Sequence, residues 1–233
     1  IVGGLHVSST KTGTIGVRPG PFMASSRHFK IEIFGKNAHA ATPHKGIDAI
    51  AVAFRLYSAL QLLLSREVDP LQQCLCSINK IEGGTAQNIV AENCVMLGTM
   101  RTYDMEVSNY LFERINKIAD SLANELGIEI KVTGPVKSLC TYNNPYIAEL
   151  LRASAVKAVG EENVFLAEQK MGSEDFSRMQ EKRPGVFFTL GTDSEYPAHN
   201  GKFDINEDGL HLGAKVFVQF VIDNQNGIDM EKV

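Results

Sequence analysis

The 233-residue sequence lacks several features that mark specialised classes of protein. Its longest apolar stretches, such as 59–64, fall far short of the roughly 20 residues that cross a bilayer. Lys and Arg number 23 against 27 Asp and Glu, so the basic excess typical of nucleic-acid binding is absent. No signal-peptide pattern opens the chain. We therefore expect a globular, cytoplasmic protein that binds neither a membrane nor a nucleic acid.

The four cysteines do not form a metal-binding or disulfide pattern. They are Cys74, Cys76, Cys94 and Cys140, and none of the spacings is that of a zinc site. Cys74 and Cys76 lie in one strand-like segment, and we expect their side chains on opposite faces of it. The simplest interpretation is that the cysteines pack as small, buried apolar side chains in a protein of a reducing compartment.

The middle of the chain alternates between the periodicities of strands and helices. Strands are predicted over 29–34, 72–81, 93–101 and 128–132, and helices over 46–67 and 106–126. Gly127 is a suitable residue to end the second helix. The resulting order, βαββαβ, is that of a ferredoxin-like module.

The flanking segments predict a larger α/β domain that this module interrupts. A helix over 144–159, a buried strand over 186–190 and a helix over 211–222 follow the module, and strands precede it within the first 20 residues. The expected fold class is therefore α/β. The predicted domains are 1–26 and 136–233 for the interrupted domain and 27–135 for the module. Residues 224–233 are expected to form a solvated tail.

Three histidines have a sequence context that suggests chemistry, although each has an ordinary explanation. His6 ends an apolar strand and is either a metal ligand or a core or surface histidine. His199 lies in a turn-rich loop where packing does not require an imidazole. His39 is surrounded by small alanines, which leave room for a ligand but also suit a loop that enters a helix.

Other polar residues are equally open to two interpretations. Asn88 ends the loop that begins at Gly83; it either donates to a carbonyl oxygen or caps a turn. Arg101 ends a strand and is either a solvated edge charge or a bidentate partner of a carboxylate. Glu174 and Asp175 follow a glycine, as a helix N-cap does, but they also suit a polar site.

The order and spacing of short motifs is more informative than any one of them. The motifs are Gly4-Leu5-His6-Val7, Thr12-Gly13-Thr14-Ile15, the segment from His39 to Ala49, Gly83-Gly84 with Asn88, Gly98-Thr99 with Arg101, Gly172 with Glu174-Asp175-Phe176, and His199-Asn200 with Phe203. As a set, and over nearly the whole chain, they resemble the M20 metallopeptidase family, most closely its amidohydrolase branch.

This resemblance implies a partial α/β catalytic domain interrupted by a ferredoxin-like lid that pairs two subunits as a homodimer. It implies that His6 and His199 are metal ligands, one for each of two divalent ions. His39 would polarise the scissile carbonyl in the neighbouring subunit's site. Asn88 and Arg101 would hold the amide oxygen and the carboxylate of the substrate. The implied reaction is hydrolysis, by metal-activated water, of the amide bond of an N-acyl-amino acid or a small peptide-like conjugate with a free carboxylate.

The sequence departs from the family in its metal-binding residues. The branch has a His-x-Cys-Gly-His-Asp motif upstream of the position that matches His6, and a Glu-Glu pair that supplies the general base and a ligand. Neither occurs here, since Glu161-Glu162 lies too far downstream to match. We therefore expect a fragment of an active enzyme, with weak or absent metal binding in this chain alone. The complete enzyme would hold two ions of zinc, manganese, cobalt or nickel. The alternative is a non-catalytic dimerisation or ligand-binding protein with the same fold.

Overall fold

The computed structural model describes all residues from Ile1 to Val233. The strands are β1 (Val2–Ser8), β2 (Ile15–Val17), β3 (Gly20–Met23), β4 (Ser26–Phe34), β5 (Cys74–Gly83), β6 (Asn93–Thr102), β7 (Glu129–Thr133), β8 (Val136–Ser138), β9 (Thr141–Asn143), β10 (Val164–Leu166) and β11 (Gly185–Gly191). The helices are α1 (Ala49–Arg66), α2 (Met105–Leu126), α3 (Pro145–Val159), α4 (Ser177–Gln180) and α5 (Leu210–Asp223).

The chain divides into two compact units. The larger unit comprises 1–24 and 140–233, and the smaller unit comprises 25–139. The predicted boundaries, after residues 26 and 135, lie two and four residues from this division. The difference arises because β8 pairs with the start of β4, at Ser26 and Arg27, so these residues join the smaller unit.

The smaller unit has the predicted βαββαβ order, formed by β4, α1, β5, β6, α2 and β7. Its strands lie in the order β5-β6-β4-β7, and every pairing among them is antiparallel. Phe29, Ile31 and Ile33 of β4 face the two helices and are almost fully buried. The intervening residues, such as His28 and Lys30, therefore lie on the face of the sheet that the helices do not cover. The mixed α/β fold with a ferredoxin-like module is confirmed.

Helix α1 begins three residues later than the sequence pattern indicates. The Asp48 carboxylate accepts hydrogen bonds from the backbone N–H groups of Ile50 and Ala51, at 2.9 and 3.4 Å. Asp48 is thus the N-cap, and the helix cannot begin at Gly46. Helix α2 ends as predicted, since Gly127 has the left-handed backbone (φ 65°) of a C-terminal glycine.

Helix α1 is also long and apolar enough, by length and composition, to cross a membrane. Within the smaller unit, however, one side of it packs against the sheet, and Leu56, Leu60 and Leu63 are buried there. The helix therefore serves as a core helix of this unit. Its other side leaves Phe54 and Leu62 exposed, by 61% and 57%.

The larger unit contains a mixed sheet with the strand order β1-β11-β2-β10. All seven residues of β11 are buried, as the sequence predicts for the segment 186–190. On one face, Val186, Phe188 and Leu190 pack against helices α3 and α5. On the other face, Phe187 packs with Phe22 and Phe176 in a second, smaller cluster.

Two local expectations are wrong. The segment 224–233 is not a fully solvated tail, because Ile228 and Val233 pack against the core of the larger unit. The amide of Asn144 also donates to the backbone oxygen of Val233 at 2.8 Å. Cys74 and Cys76 lie on the same face of β5, since strand residues two apart share a face. Burial, with a smaller contribution from Cys74, raises the pKa of Cys76 to about 11.

Candidate functional site

The larger unit contains a cavity that brings together residues from both ends of the sequence. His6 and His199, nearly two hundred positions apart, both line it, and Glu174 lies between them in sequence and lines it as well. The cavity has a volume of about 310 Å³. Its remaining wall includes Phe187 and Thr189 of β11. Two histidines and one glutamate thus line the same cavity.

The imidazole of His6 is oriented by its own strand. His6 lies in β1 opposite Thr189 of β11, on the face that carries Phe187. Its Nδ1 lies 2.7 Å from the backbone oxygen of Val7. Since a carbonyl oxygen only accepts hydrogen bonds, Nδ1 carries the proton and the lone pair is on Nε2. Metal-binding histidines commonly have this arrangement, in which a backbone carbonyl fixes the tautomer.

Glu174 is positioned by an aromatic anchor two residues further on. Phe176 is 6% exposed, and its ring packs against Phe187 with 5.3 Å between centroids. The ring also lies directly over Gly4 of β1, where a Cβ atom would come within 2.7 Å of it. The glycine in Gly4-Leu5-His6 therefore makes room for Phe176, which in turn holds the loop of Glu174 beside His6.

The environment of Glu174 disfavours its charged form. Burial is the main reason that its pKa is raised, followed by a hydrogen bond with Asp175; the hydrogen bond from the Phe176 N–H and the charge of His6 act in the opposite direction. Its Oε1 accepts the backbone N–H of Asp175 at 3.0 Å. The helix N-cap interpretation of this segment is wrong, because Phe176 is the N-cap of α4 and no side chain caps that helix. Glu174 instead lines the cavity. Glu174 was not among the predicted site residues.

His199 has a backbone conformation that is uncommon for a residue with a side chain. Its φ is 70°, in the left-handed region. The turn is closed by the N–H of Asn200, which donates to the backbone oxygen of Pro197 at 3.2 Å. Strained residues of this kind are frequent at functional sites.

The donors present have the chemistry of metal ligands but are too few for two ions. The chain contains no group of three or more His, Cys, Asp or Glu side chains arranged to hold a metal ion. His6 offers a free Nε2, and His199 and Glu174 face the same cavity. These residues suit part of a ligand set, and the assignment of His6 and His199 as ligands stays a prediction.

In the smaller unit, His39 and Asn88 lie at the same end of the sheet. The N–H of Ala40 donates to the backbone oxygen of Asn88 at 3.0 Å, and His39 forms a backbone bridge with Ile89. The N–H of Ala41 donates to His39 Nδ1 at 3.0 Å. In the neutral imidazole the proton is therefore on Nε2, which can donate to a ligand. Both His39 and Asn88 are exposed.

Arg101 lies at the other end of the same sheet. Asn93, at the His39 end, begins β6, and Arg101 is eight residues along this strand, about 26 Å away. Arg101 is half-buried, and burial lowers its pKa. It lines a cavity on the helix-free face of the sheet, together with His28 and Thr99. One copy of the smaller unit therefore cannot present Arg101 and His39 to the same small molecule.

The fold defines a class of protein in which an α/β unit is interrupted by a ferredoxin-like module. Residues 24–126 match the peptidase dimerisation domain of the M20 family. The chain therefore carries the dimerisation domain of the M20 peptidases, and the resemblance drawn from its motifs is confirmed. The family model covers most of the smaller unit, including α1, β5, β6 and α2.

Relatives match the chain over both units. It is 35% identical to thermostable carboxypeptidase 2 of Saccharolobus solfataricus, over 96% of this chain and 58% of that protein. It is 37% identical to N-acetyl-L-cysteine deacetylase of Bacillus subtilis, over 89% of this chain and 50% of that protein. The chain thus spans little more than half the length of these curated relatives.

A solved structure also matches the chain over both units. A dinuclear metal binding peptidase of the M20 family from Bacillus subtilis superposes with a TM-score of 0.77 at 28% sequence identity. The match covers 97% of this chain and 57% of that chain. The similarity therefore includes the larger unit as well as the dimerisation domain.

Proposed function

We propose that this chain is the greater part of a metal-dependent hydrolase that cleaves the amide bond of N-acyl-amino acids or small peptide-like conjugates with a free carboxylate. The observation that carries the proposal is the convergence of His6 and His199 on one cavity, with Glu174 beside them. Support also comes from the relatives, which include a deacetylase of an N-acetyl amino acid and a carboxypeptidase.

In this proposal His6, His199 and Glu174 hold metal ions, and further ligands come from polypeptide that corresponds to the remaining length of the relatives. Divalent ions of zinc, manganese, cobalt or nickel would supply a bound water of lowered pKa. His6 would bind through Nε2, because Nδ1 already donates to Val7. Glu174 would bind as a carboxylate, and the proximity of a cation would oppose the burial that raises its pKa.

The residues of the smaller unit would bind and polarise the substrate. We propose that His39 donates from Nε2 to the carbonyl oxygen of the amide, and that Asn88 donates to the same oxygen through its amide nitrogen. Removing one such donor to a developing oxyanion typically costs about 10²–10³ in kcat. Arg101 would bind the free carboxylate through two parallel hydrogen bonds.

We further propose a homodimer formed through the smaller unit. Because His39 and Arg101 lie at opposite ends of one sheet, a small substrate that contacts both needs residues from two copies. The structure offers a suitable surface: β5 is an edge strand, with Leu75 and Ile81 exposed. Phe54 and Leu62 on α1 are exposed as well.

The dimer has a direct test. Phe54→Glu should shift the protein from dimer to monomer in light scattering at micromolar concentration, because it places a charge on an apolar contact surface. Val218→Glu is the matched control, since Val218 is 58% exposed on α5 of the larger unit. A monomeric unmodified chain, or a Phe54→Glu variant that stays dimeric, would contradict this surface.

The hydrolase activity is tested on the full-length gene product that contains this chain. Acetate release from N-acetyl amino acids should disappear when a chelator removes metal and should return on addition of zinc, manganese, cobalt or nickel. His6→Ala and His199→Ala should each lower kcat/KM by about three orders of magnitude or more, because a metal ligand is lost. His211→Ala is the control, since His211 is an exposed residue of α5 outside the cavity.

The outcomes separate the hydrolase from the alternative function. If the His6 and His199 variants hydrolyse substrate like the unmodified protein, the metal-ligand assignment is wrong. If the full-length protein is a dimer that binds N-acetyl amino acids but never hydrolyses them with any of the four metals, the non-catalytic dimerisation or ligand-binding alternative is correct.

A further inference from the structure

The larger unit contains two Asn-Gly pairs, Asn200-Gly201 and Asn226-Gly227, and all four residues are exposed. Asparagine is among the thermally labile residues. It is most labile before glycine, because the backbone nitrogen of the glycine can attack the side-chain amide carbon and no Cβ atom hinders the approach. Since the two pairs have the same residues and similar exposure, their local structures decide which of them reacts.

The attacking nitrogen is engaged in one pair and free in the other. The N–H of Gly227 donates to the backbone oxygen of Asn224 at 3.0 Å, whereas the N–H of Gly201 donates to no backbone oxygen. Attack by the Gly227 nitrogen therefore first requires the loss of a hydrogen bond. Such a loss slows a reaction by roughly tenfold, which corresponds to about 1.4 kcal/mol.

The amide group of Asn200 is also prepared for attack. Its Oδ1 accepts a hydrogen bond from the N–H of Lys202 at 2.9 Å, and the Asn200 backbone oxygen accepts the N–H of Phe203 at 2.9 Å. The ring that the first bond closes contains both the amide carbon of Asn200 and the nitrogen of Gly201, so one tight turn holds the two reacting atoms. A donor to the amide oxygen also stabilises the negative charge that develops there during attack.

The surroundings of Gly201 do not obstruct the reaction. A Cβ atom added at Gly201 would meet no atom within 4 Å. The φ of Gly201 also lies outside the left-handed region. Gly201→Ala should therefore fold like the unmodified chain, while its methyl group hinders the approach of the backbone nitrogen.

We propose that Asn200-Gly201 is a self-modifying site, at which Asn200 becomes aspartate or isoaspartate. The nitrogen of Gly201 forms a bond to the amide carbon of Asn200 and closes a succinimide. The side-chain nitrogen of Asn200 leaves as ammonia and takes the proton of the Gly201 N–H. Water then opens the succinimide at either of its carbonyl carbons. Both products carry a new carboxylate at residue 200, and the isoaspartyl product has an additional methylene in the main chain.

The consequence for the cavity rests on the proposed function, whereas the chemical step does not. His199 lines the cavity and is the proposed ligand of a metal ion. Its backbone is held in the left-handed region, so an additional methylene in the next residue alters the turn that presents the imidazole. Hydrolysis by the full-length protein should therefore decline in step with the modification.

The experiment stores the 233-residue chain at mildly alkaline pH and follows both Asn-Gly pairs by peptide mass spectrometry. In the folded chain Asn200 should convert about tenfold faster than Asn226, because Gly227 must first give up its hydrogen bond. In urea that unfolds the chain the two rates should become equal. Gly201→Ala should slow the conversion of Asn200 and leave that of Asn226 unchanged, and circular dichroism checks that this variant is folded.

The proposal is wrong if Asn226 converts as fast as Asn200 in the folded chain, or if Asn200 is still preferred in the unfolded chain. It is also wrong if Gly201→Ala is folded and converts at the unmodified rate. The full-length protein separates this proposal from the proposed function. If Asn200 converts as expected but N-acetyl amino acids are never hydrolysed, the proposed function fails while the modification site stands. If converted protein retains full activity, the stated consequence for the cavity is wrong.

Discussion

The packing of Phe176 over Gly4 predicts a large effect from a very small substitution. In Gly4→Ala the new Cβ would lie 2.7 and 2.8 Å from two carbons of the Phe176 ring, and 2.8 Å from the ring of Phe187. Ordinary contacts between carbon atoms are about 3.5–4.0 Å. Both rings are almost fully buried, at 6% and 3% exposed, so neither can move freely.

Overpacking of this kind costs about 1–3 kcal/mol of the free energy of unfolding. We expect the Gly4→Ala chain to lose that amount in urea-induced unfolding. Gly201→Ala is the control, because Gly201 lies two residues after His199 but has no atom within 4 Å of the position of an added Cβ. A smaller side chain at position 176 should relieve the clash. Phe176→Leu should therefore lower the free energy of unfolding less in the Gly4→Ala background than in the unmodified chain.

The same substitution tests how Glu174 is positioned. Phe176 is two residues from Glu174, so moving the ring should move the carboxylate away from His6. In the full-length protein Gly4→Ala should therefore lower kcat/KM, whereas Gly201→Ala should leave it unchanged. Equal unfolding free energies for the Gly4→Ala and unmodified chains would refute the reasoning, and so would additive effects of the two substitutions, because contacting residues couple by about 0.5–3 kcal/mol.

Two further predictions concern His199 and Glu67. His199→Gly removes the proposed metal ligand but also relieves the strain of the left-handed backbone, so the free energy of unfolding should stay the same or rise by up to about 1 kcal/mol. A clear loss of stability in urea-induced unfolding would mean that the imidazole packs against the rest of the larger unit. Hydrogen bonds from Arg114 and, to a smaller extent, Tyr110 lower the pKa of Glu67 from the ordinary value of 4.5 to about 2. The Glu67 carboxylate therefore stabilises the folded state above pH 4.5, and this contribution disappears as the pH falls from about 4.5 to about 2. Glu67→Gln should therefore weaken the acid dependence of unfolding in that interval, measured by circular dichroism, whereas an unchanged pH profile would contradict the role of the Arg114 pair.

The fold of the smaller unit could be predicted from the sequence because its patterns are local. Phe29, Ile31 and Ile33 alternate with polar residues, and the periodicity of Leu111, Ile115 and Leu122 defines the buried side of α2. The sequence pattern places the start of α1 too early because apolar periodicity continues back to Ile47, whereas the true boundary depends on the hydrogen bonds that Asp48 accepts. The sequence does not predict the packing of the segment 224–233, because Ile228 and Val233 are isolated apolar residues whose burial depends on a distant part of the core.

The candidate site shows a sharper limit, because its geometry depends on contacts between distant segments. The motifs indicate His6 and His199 but leave Glu174 as a possible N-cap. The packing of Phe176 over Gly4 explains why the segment of Glu174 lies at the cavity that His6 also lines. The one usable signal was the glycine before Leu5-His6, since a strand residue without a side chain often marks a close approach by another group.

The separation of Arg101 from His39 and Asn88 required the sheet register. In the sequence Asn88 and Arg101 are close, and both belong to motifs that suggest contact with one substrate. The strand β6 runs between them, however, and carries Arg101 about 26 Å from the end where Asn93 and the loop of Asn88 lie. A strand is the most extended way to connect two residues, so sequence proximity across it implies distance rather than contact. For a small substrate, that distance is the physical reason why the dimer belongs to the proposed mechanism.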